Sequence, residues 1–161
     1  MTIAVGDPIP DVQLKMVTEH GNEVVSTADV LGKGRVVLFG VPAAFSPTCS
    51  DLHLPGFVFH ANAIRARGVD RIFCVSVNDP YVMAAWGRSQ GVADRVTLLA
   101  DGNGELARAM GVEIDLSRGG LGTRNKRYAA VIEDGVVIQL MLEEGTRFEV
   151  SSAEAVLTAL S

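Results

Sequence analysis

Two continuous apolar runs, 35–41 (RVVLFGV) and 71–77 (RIFCVSV), stand either side of a segment long enough for a helix. An unbroken, β-branched apolar run is what a strand buried on both faces presents. The residues between, 49–66, read as helical and stop at Arg67-Gly68. Strand, helix, strand in that order is a β-α-β unit, so the two strands are expected to lie parallel in one sheet. This one inference narrows the chain to the α/β class.

The rest of the chain extends the pattern. Asn78-Asp79-Pro80 opens a second helix, with Asn or Asp as cap and Pro early in the first turn. That helix holds Met83, Ala84 and Trp86 and stops near Gly91. A third short strand is expected at 96–100, then a DGNG turn into a helix around Leu106 to Met110. Residues 111–126 read as irregular and glycine-rich (RGGLGTR). The stretches 128–132 and 136–141 flank Glu133-Asp134-Gly135, and Asp-Gly is a strong hairpin signal. The SSAE at 151–154 reads as the capped start of a last helix. The N-terminal region is hairpin-like. The whole predicts a central mixed sheet with helices on both faces, compatible with a thioredoxin-like fold. At 161 residues and 48% hydrophobic, one domain spanning 1–161 is expected.

Composition removes several function classes. The net charge is −5 and the 14 Lys and Arg are scattered, so no nucleic-acid footprint is visible. The start, MTIAVGDPIPDV, has neither the charged nor the apolar region of a signal peptide. The longest apolar runs, such as VVLF, are too short to span a bilayer. Two cysteines make no disulfide framework, and no C-x-x-C pair occurs. A cytoplasmic protein with free thiols is expected.

One of those cysteines has unusual surroundings. In PAAFSPTCS, 42–50, two prolines and two hydroxyl residues crowd ahead of Cys49. Cys49 falls where a buried strand has ended and a helix begins. Free N–H groups and the dipole at a helix start favour an anion, and the thiolate is the nucleophilic form of cysteine. Pro42 and Pro47 stiffen the loop and withhold donors. Ser46, three residues upstream, is placed to bond the sulfur or a bound oxygen. Pro55 clashes with the carbonyl four residues back, at Asp51, so the turn 49–53 should be broken away from the helix that follows. Such a turn can open locally. The competing reading makes Cys49 a buried apolar filler.

The other candidates divide similarly. His53 shares a helical face with Cys49 but lacks the further ligands a metal needs, and His60 lies about 10 Å along. His53 therefore reads as a packing or hydrogen-bonding residue, and no metal is expected. Cys74 reads as a core thiol, with a resolving thiol as its functional alternative. Arg124 and Arg127 lie beside the last hairpin, at the entry to its first strand. A guanidinium aimed at the sulfur would stabilise the thiolate, whereas a solvated surface charge suits Arg124 better.

The segment GVPAAFSPTCSDLHLPGF, 40–57, resembles the active-site stretch of the type II, or atypical two-cysteine, peroxiredoxins. Their pattern is Pro, three residues, Thr or Ser, two residues, Cys, met here by Pro42, Ser46 and Cys49. Further matches are CVSVNDPYVMAAW (74–86), LLADGNGELARAMG (98–111) and GLGTRNKRYAAVIEDG (120–135). The resemblance implies a thioredoxin-like fold and reduction of hydroperoxides by Cys49. It implies that Pro42 shields the sulfur, Ser46 bonds the peroxide and Arg127 is the active-site arginine. Ser46 stands where Thr is usual. No third cysteine occurs in 142–160, which resembles the plant and bacterial branch reduced by glutaredoxin with glutathione, or by thioredoxin. That branch has a second cysteine at the position of Cys74. A homodimer without metal or organic cofactor, dependent on an external thiol, is implied. A redox sensor or holdase using the oxidation of Cys49 as a switch is the alternative.

Overall fold

The computed structural model describes residues 1–161. Two apolar strands form the heart of the sheet, β3 (Arg35–Gly40) and β4 (Arg71–Ser76). They pair in parallel, with Val37 beside Ile72 and Phe39 beside Cys74, as the β-α-β reading requires. Their unbroken hydrophobicity has a direct cause. Alternate side chains of a strand point to opposite faces, and here both faces are covered. Val37, Phe39 and Cys74 enter one core layer with Phe57, Trp86 and Val156. Val36, Leu38, Phe73 and Val75 enter the other with Leu31, Leu106 and Met110.

The sheet grows outward from this pair. With β1 (Gln13–Thr18), β2 (Gly21–Ser26), β5 (Thr97–Ala100), β8 (Tyr128–Glu133) and β9 (Val136–Leu142) it has seven strands, in the order β2-β1-β5-β4-β3-β8-β9. β4 and β5 are parallel, while β1, β2, β8 and β9 join antiparallel. The mixed sheet is therefore parallel at the centre and antiparallel at both margins. Residues of α2 (Leu54–Arg65), α3 (Pro80–Gln90) and α5 (Ala153–Leu160) cover the first face, and those of α4 (Glu105–Met110) the second. A one-turn α1 (Thr27–Val30) follows β2, capped by Ser26. No helix is long and apolar enough to cross a membrane.

Three local outcomes refine the sequence reading. The segment expected as irregular, 111–126, contains a two-stranded ribbon, β6 (Glu113–Asp115) with β7 (Thr123–Asn125), around a 3-10 turn. Its glycines hid the short strands, which carry only three residues each. Asp79, not Asn78, caps α3, its Oδ1 accepting from the Val82 amide at 2.8 Å. The β8–β9 hairpin turns on Asp134 and Gly135, with φ of 47° and 82°, the left-handed pair that a tight two-residue turn demands.

Candidate active site

The site sits beyond the carboxyl end of β3. Cys49 opens a five-residue π-helical turn, Cys49–His53, and the Leu54 amide donates to the Cys49 carbonyl five residues back. Pro55 explains this. It has no N–H to offer Asp51 and its ring crowds that carbonyl, so the ladder cannot run in α register through the turn. The expected break is present and takes the form of a widened turn.

The loop leading to Cys49 is held from both sides. Asn125 donates from Nδ2 to the Val41 carbonyl at 3.1 Å. Asn78 Oδ1 accepts from the Ala44 amide at 3.0 Å and from the Ser76 hydroxyl at 2.6 Å. Buried Pro42 thus lies between two asparagine clamps. Sequence reasoning missed both. The sequence offers Asn78 as a helix cap, and nothing near Asn125 signals a partner 84 residues away. Ser46 donates to the Ala43 carbonyl at 2.6 Å rather than to the sulfur.

The Cys49 side chain is fully buried. Arg127, 3% exposed, donates from one terminal nitrogen to Sγ at 3.4 Å. Its other terminal nitrogen donates to Nδ1 of His53 at 3.0 Å. His53 in turn donates from Nε2 to the Ser151 carbonyl at 2.9 Å, so the bonds on both ring nitrogens select one neutral tautomer. Burial, then the neighbouring Arg127 cation, lowers the His53 pKa to about 3. Aromatic rings enclose it: Phe39 at 5.0 Å, Phe148 at 4.9 Å and Phe57 at 5.6 Å between centroids. Phe148 also lies 5.6 Å from the Arg127 guanidinium. Arg127 forms no ion pair with a carboxylate, and its Nε is buried without a partner. The guanidinium is a buried charge without a counter-ion, and the group it faces is the Cys49 sulfur.

The remaining candidates sort clearly. Cys74 is buried in the same apolar cluster as Cys49 and forms no disulfide. Burial first, and Cys49 second, push its thiol well above the ordinary range, so it stays protonated. His60 pairs with Glu154 at 3.0 Å, away from the sulfur. Arg124 departs from the expected solvated charge. Its guanidinium donates to the carbonyls of Val77 at 2.6 Å and Leu121 at 2.7 Å, pinning the ribbon to the end of β4.

Comparison with known proteins agrees with this geometry. The Redoxin family profile matches residues 4–157. The chain is 53% identical to the chloroplastic peroxiredoxin-2E-2 of Oryza sativa, over 99% of this chain and 73% of that one. It is 46% identical to peroxiredoxin-2B of Arabidopsis thaliana, over 98% of both. The crystal structure of reduced Prx3 from Vibrio vulnificus in complex with hydrogen peroxide superposes with a TM-score of 0.95 at 42% identity, covering 99% of this chain and 100% of that one. The chain belongs to the redoxin family and, within it, to the type II peroxiredoxins, thiol peroxidases with a thioredoxin-like fold.

Proposed function

We propose that Cys49 is the peroxidatic cysteine and Arg127 its electrostatic partner. One observation carries this: a buried arginine without a carboxylate partner points a terminal nitrogen at Sγ, 3.4 Å away, at the start of a helical turn. The Cys49 thiolate attacks one oxygen of a hydroperoxide. The S–O bond forms as the O–O bond breaks, and the alcohol or water leaves with a proton. Sulfur is oxidised to a sulfenic acid and the peroxide is reduced. Charge builds on both oxygens in the transition state, and Arg127 and the free amides of the turn stabilise it without reorganising. Pro42 covers the sulfur. Ser46 turns its hydroxyl from the Ala43 carbonyl to the bound oxygen. The presence of hydrogen peroxide in the Vibrio structure supports this reading.

Regeneration needs two external thiols. The first condenses with the sulfenic acid, releasing water and forming a mixed disulfide; the second releases Cys49 and leaves as a disulfide. Glutaredoxin with glutathione, or thioredoxin, is the proposed source, supported by the absence of a cysteine in 142–160. Cys74, buried and protonated, takes no part. The reaction requires no metal or organic cofactor.

Stopped-flow oxidation by one equivalent of hydrogen peroxide tests the assignment. Trp86 is the only tryptophan, and its Nε1 donates to the Ser50 hydroxyl at 2.9 Å inside the turn, so its fluorescence reports the site. Oxidation far faster than that of a free thiol is expected. Cys49→Ser should abolish it, and Arg127→Gln should slow it by about 100-fold, the worth of one preorganised donor. Ordinary thiol kinetics in the unmodified protein would remove the assignment. Cys74→Ser should keep full turnover with glutaredoxin and glutathione; a loss would make Cys74 a resolving thiol.

A further inference from the structure

The peroxidatic turn is tied to a segment that the reaction does not use. Between β9 and α5 the chain runs as a strap, 143–152. Its first residue, Glu143, is a carboxylate only 3% exposed. The Glu143 amide donates to the Arg127 carbonyl at 3.0 Å, so the strap starts alongside the site arginine. Its side chain then reaches forward along the strap. One oxygen, Oε2, accepts from the amides of Glu149, Val150 and Ser151 at 2.9, 2.8 and 2.9 Å, and from the Ser151 hydroxyl at 2.7 Å. Burial acts to raise the pKa of Glu143, but the Ser151 hydroxyl and the three amides outweigh it and bring the group below the usual carboxylate range. Four donors on one buried anion hold the far end of the strap against its origin.

Two parts of the held strap face the site. The Phe148 ring packs on both His53 and Arg127. The Ser151 carbonyl accepts from the Nε2–H of His53, which keeps the ring proton on Nε2 and leaves Nδ1 bare to accept from Arg127. If that carbonyl moves, only the Arg127 bond is left to oppose the Nδ1–H tautomer, in which the ring meets Arg127 donor to donor. The guanidinium then loses the partner that fixes its second nitrogen on Cys49.

We propose that Glu143 is a positioning residue for the peroxidatic cysteine. By holding residues 149–151 it places the Ser151 carbonyl, which selects the His53 tautomer, which holds Arg127 on the sulfur. This inference rests on Cys49 being the peroxidatic sulfur.

The full-length protein tests it, with Glu143→Gln and Glu143→Asp. Glu133→Gln, which removes the surface partner of Arg35, is the control. Two quantities are measured: the rate of Cys49 oxidation by hydrogen peroxide, and the His53 ring tautomer by nitrogen-15 NMR. The unmodified protein and the control should show the Nε2–H tautomer alone. Both Glu143 variants should show the second tautomer and a rate lower by about 10-fold, the worth of one charge-assisted hydrogen bond. A merely structural carboxylate would lower the melting temperature and leave the tautomer unmoved. If Glu143→Gln does not fold, the Asp variant and the unmodified spectrum decide. A native His53 protonated on Nδ1 overturns the proposal, as do folded variants that keep both tautomer and rate. Cys49→Ser runs in parallel. If it still consumes peroxide, the underlying assignment falls and this one with it. If it is inactive while the Glu143 variants react at full rate, only the role of Glu143 falls.

Discussion

His53 shows how one buried group connects chemistry to stability. Its pKa in the folded protein, about 3, lies well below the ordinary histidine value of 6.5. The unfolded chain therefore takes up a proton as pH falls through about 6.5, while the folded chain does not until about 3. Acidification across that window favours unfolding, by at most about 1.4 kcal/mol per pH unit from this group. Glu143, with its lowered pKa, adds to the loss in the same direction at more acid pH. Denaturant unfolding between pH 7 and pH 4 should show stability falling with pH, and His53→Gln should flatten the upper part of the slope. A mutant with an unchanged slope would mean that His53 is protonated in the fold. Neutral His53 also contributes no step to the oxidation rate between pH 5 and 8. The sequence placed His53 beside Cys49 on one helical face. It carried no sign of Ser151, 98 residues away, which sets the proton.

The π-helical turn is the element that the proposed recycling has to open. Pro55 was legible as a break because its consequence is local: a missing N–H and a ring against the carbonyl of Asp51. Pro55→Ala restores that donor and permits regular α register through 49–54. The turn should then open less readily. Reduction of the oxidised protein by thiol, followed through Trp86, should slow about several-fold while the first oxidation is little changed. Equal reduction rates would show that opening does not limit recycling. A second element-level constraint lies one strand away. Gly40 pairs with Tyr128, and a Cβ at Gly40 would overlap that ring, with Cζ only 2.8 Å away. Tyr128 is itself fully buried and donates to the Met110 sulfur at 3.6 Å, so it has nowhere to go. Gly40→Ala should cost about 1–3 kcal/mol in chemical denaturation, the usual penalty of overpacking. A neutral effect would mean that the loop before Cys49 can shift.

The complete fold gathers at one end what the chain keeps apart. β3 and β4 are parallel and finish together, and β8 starts beside the end of β3. The loops from β3, β4, β7 and β9 therefore meet at that end, bringing Cys49, Asn78, Asn125, Arg127 and Ser151 into one network. Large apolar side chains are exposed on two of these loops (Phe45 and Val150), on the start of α3 (Tyr81) and in the β6–β7 connection (Leu121). They are candidates for the interface of the homodimer that the resemblance implies. Sedimentation should give twice the 17.0 kDa of one chain at micromolar concentration, and Tyr81→Glu should shift it toward monomer. A monomer at all concentrations would end that proposal. The α/β class, the parallel β3–β4 pair, the Asp-Gly hairpin, the break at Pro55 and Cys49 as the candidate sulfur were all legible in the residues. They rest on periodicity, missing donors and short-range steric rules, which act within a few residues. The short ribbon strands, the pinned Arg124, the asparagine clamps and the path from Glu143 to Cys49 were not. The ribbon strands are three residues each and masked by glycine; each of the others depends on a contact between segments far apart in the chain, and a polar side chain acquires such a partner only when the packed sheet brings the two together and shuts water out.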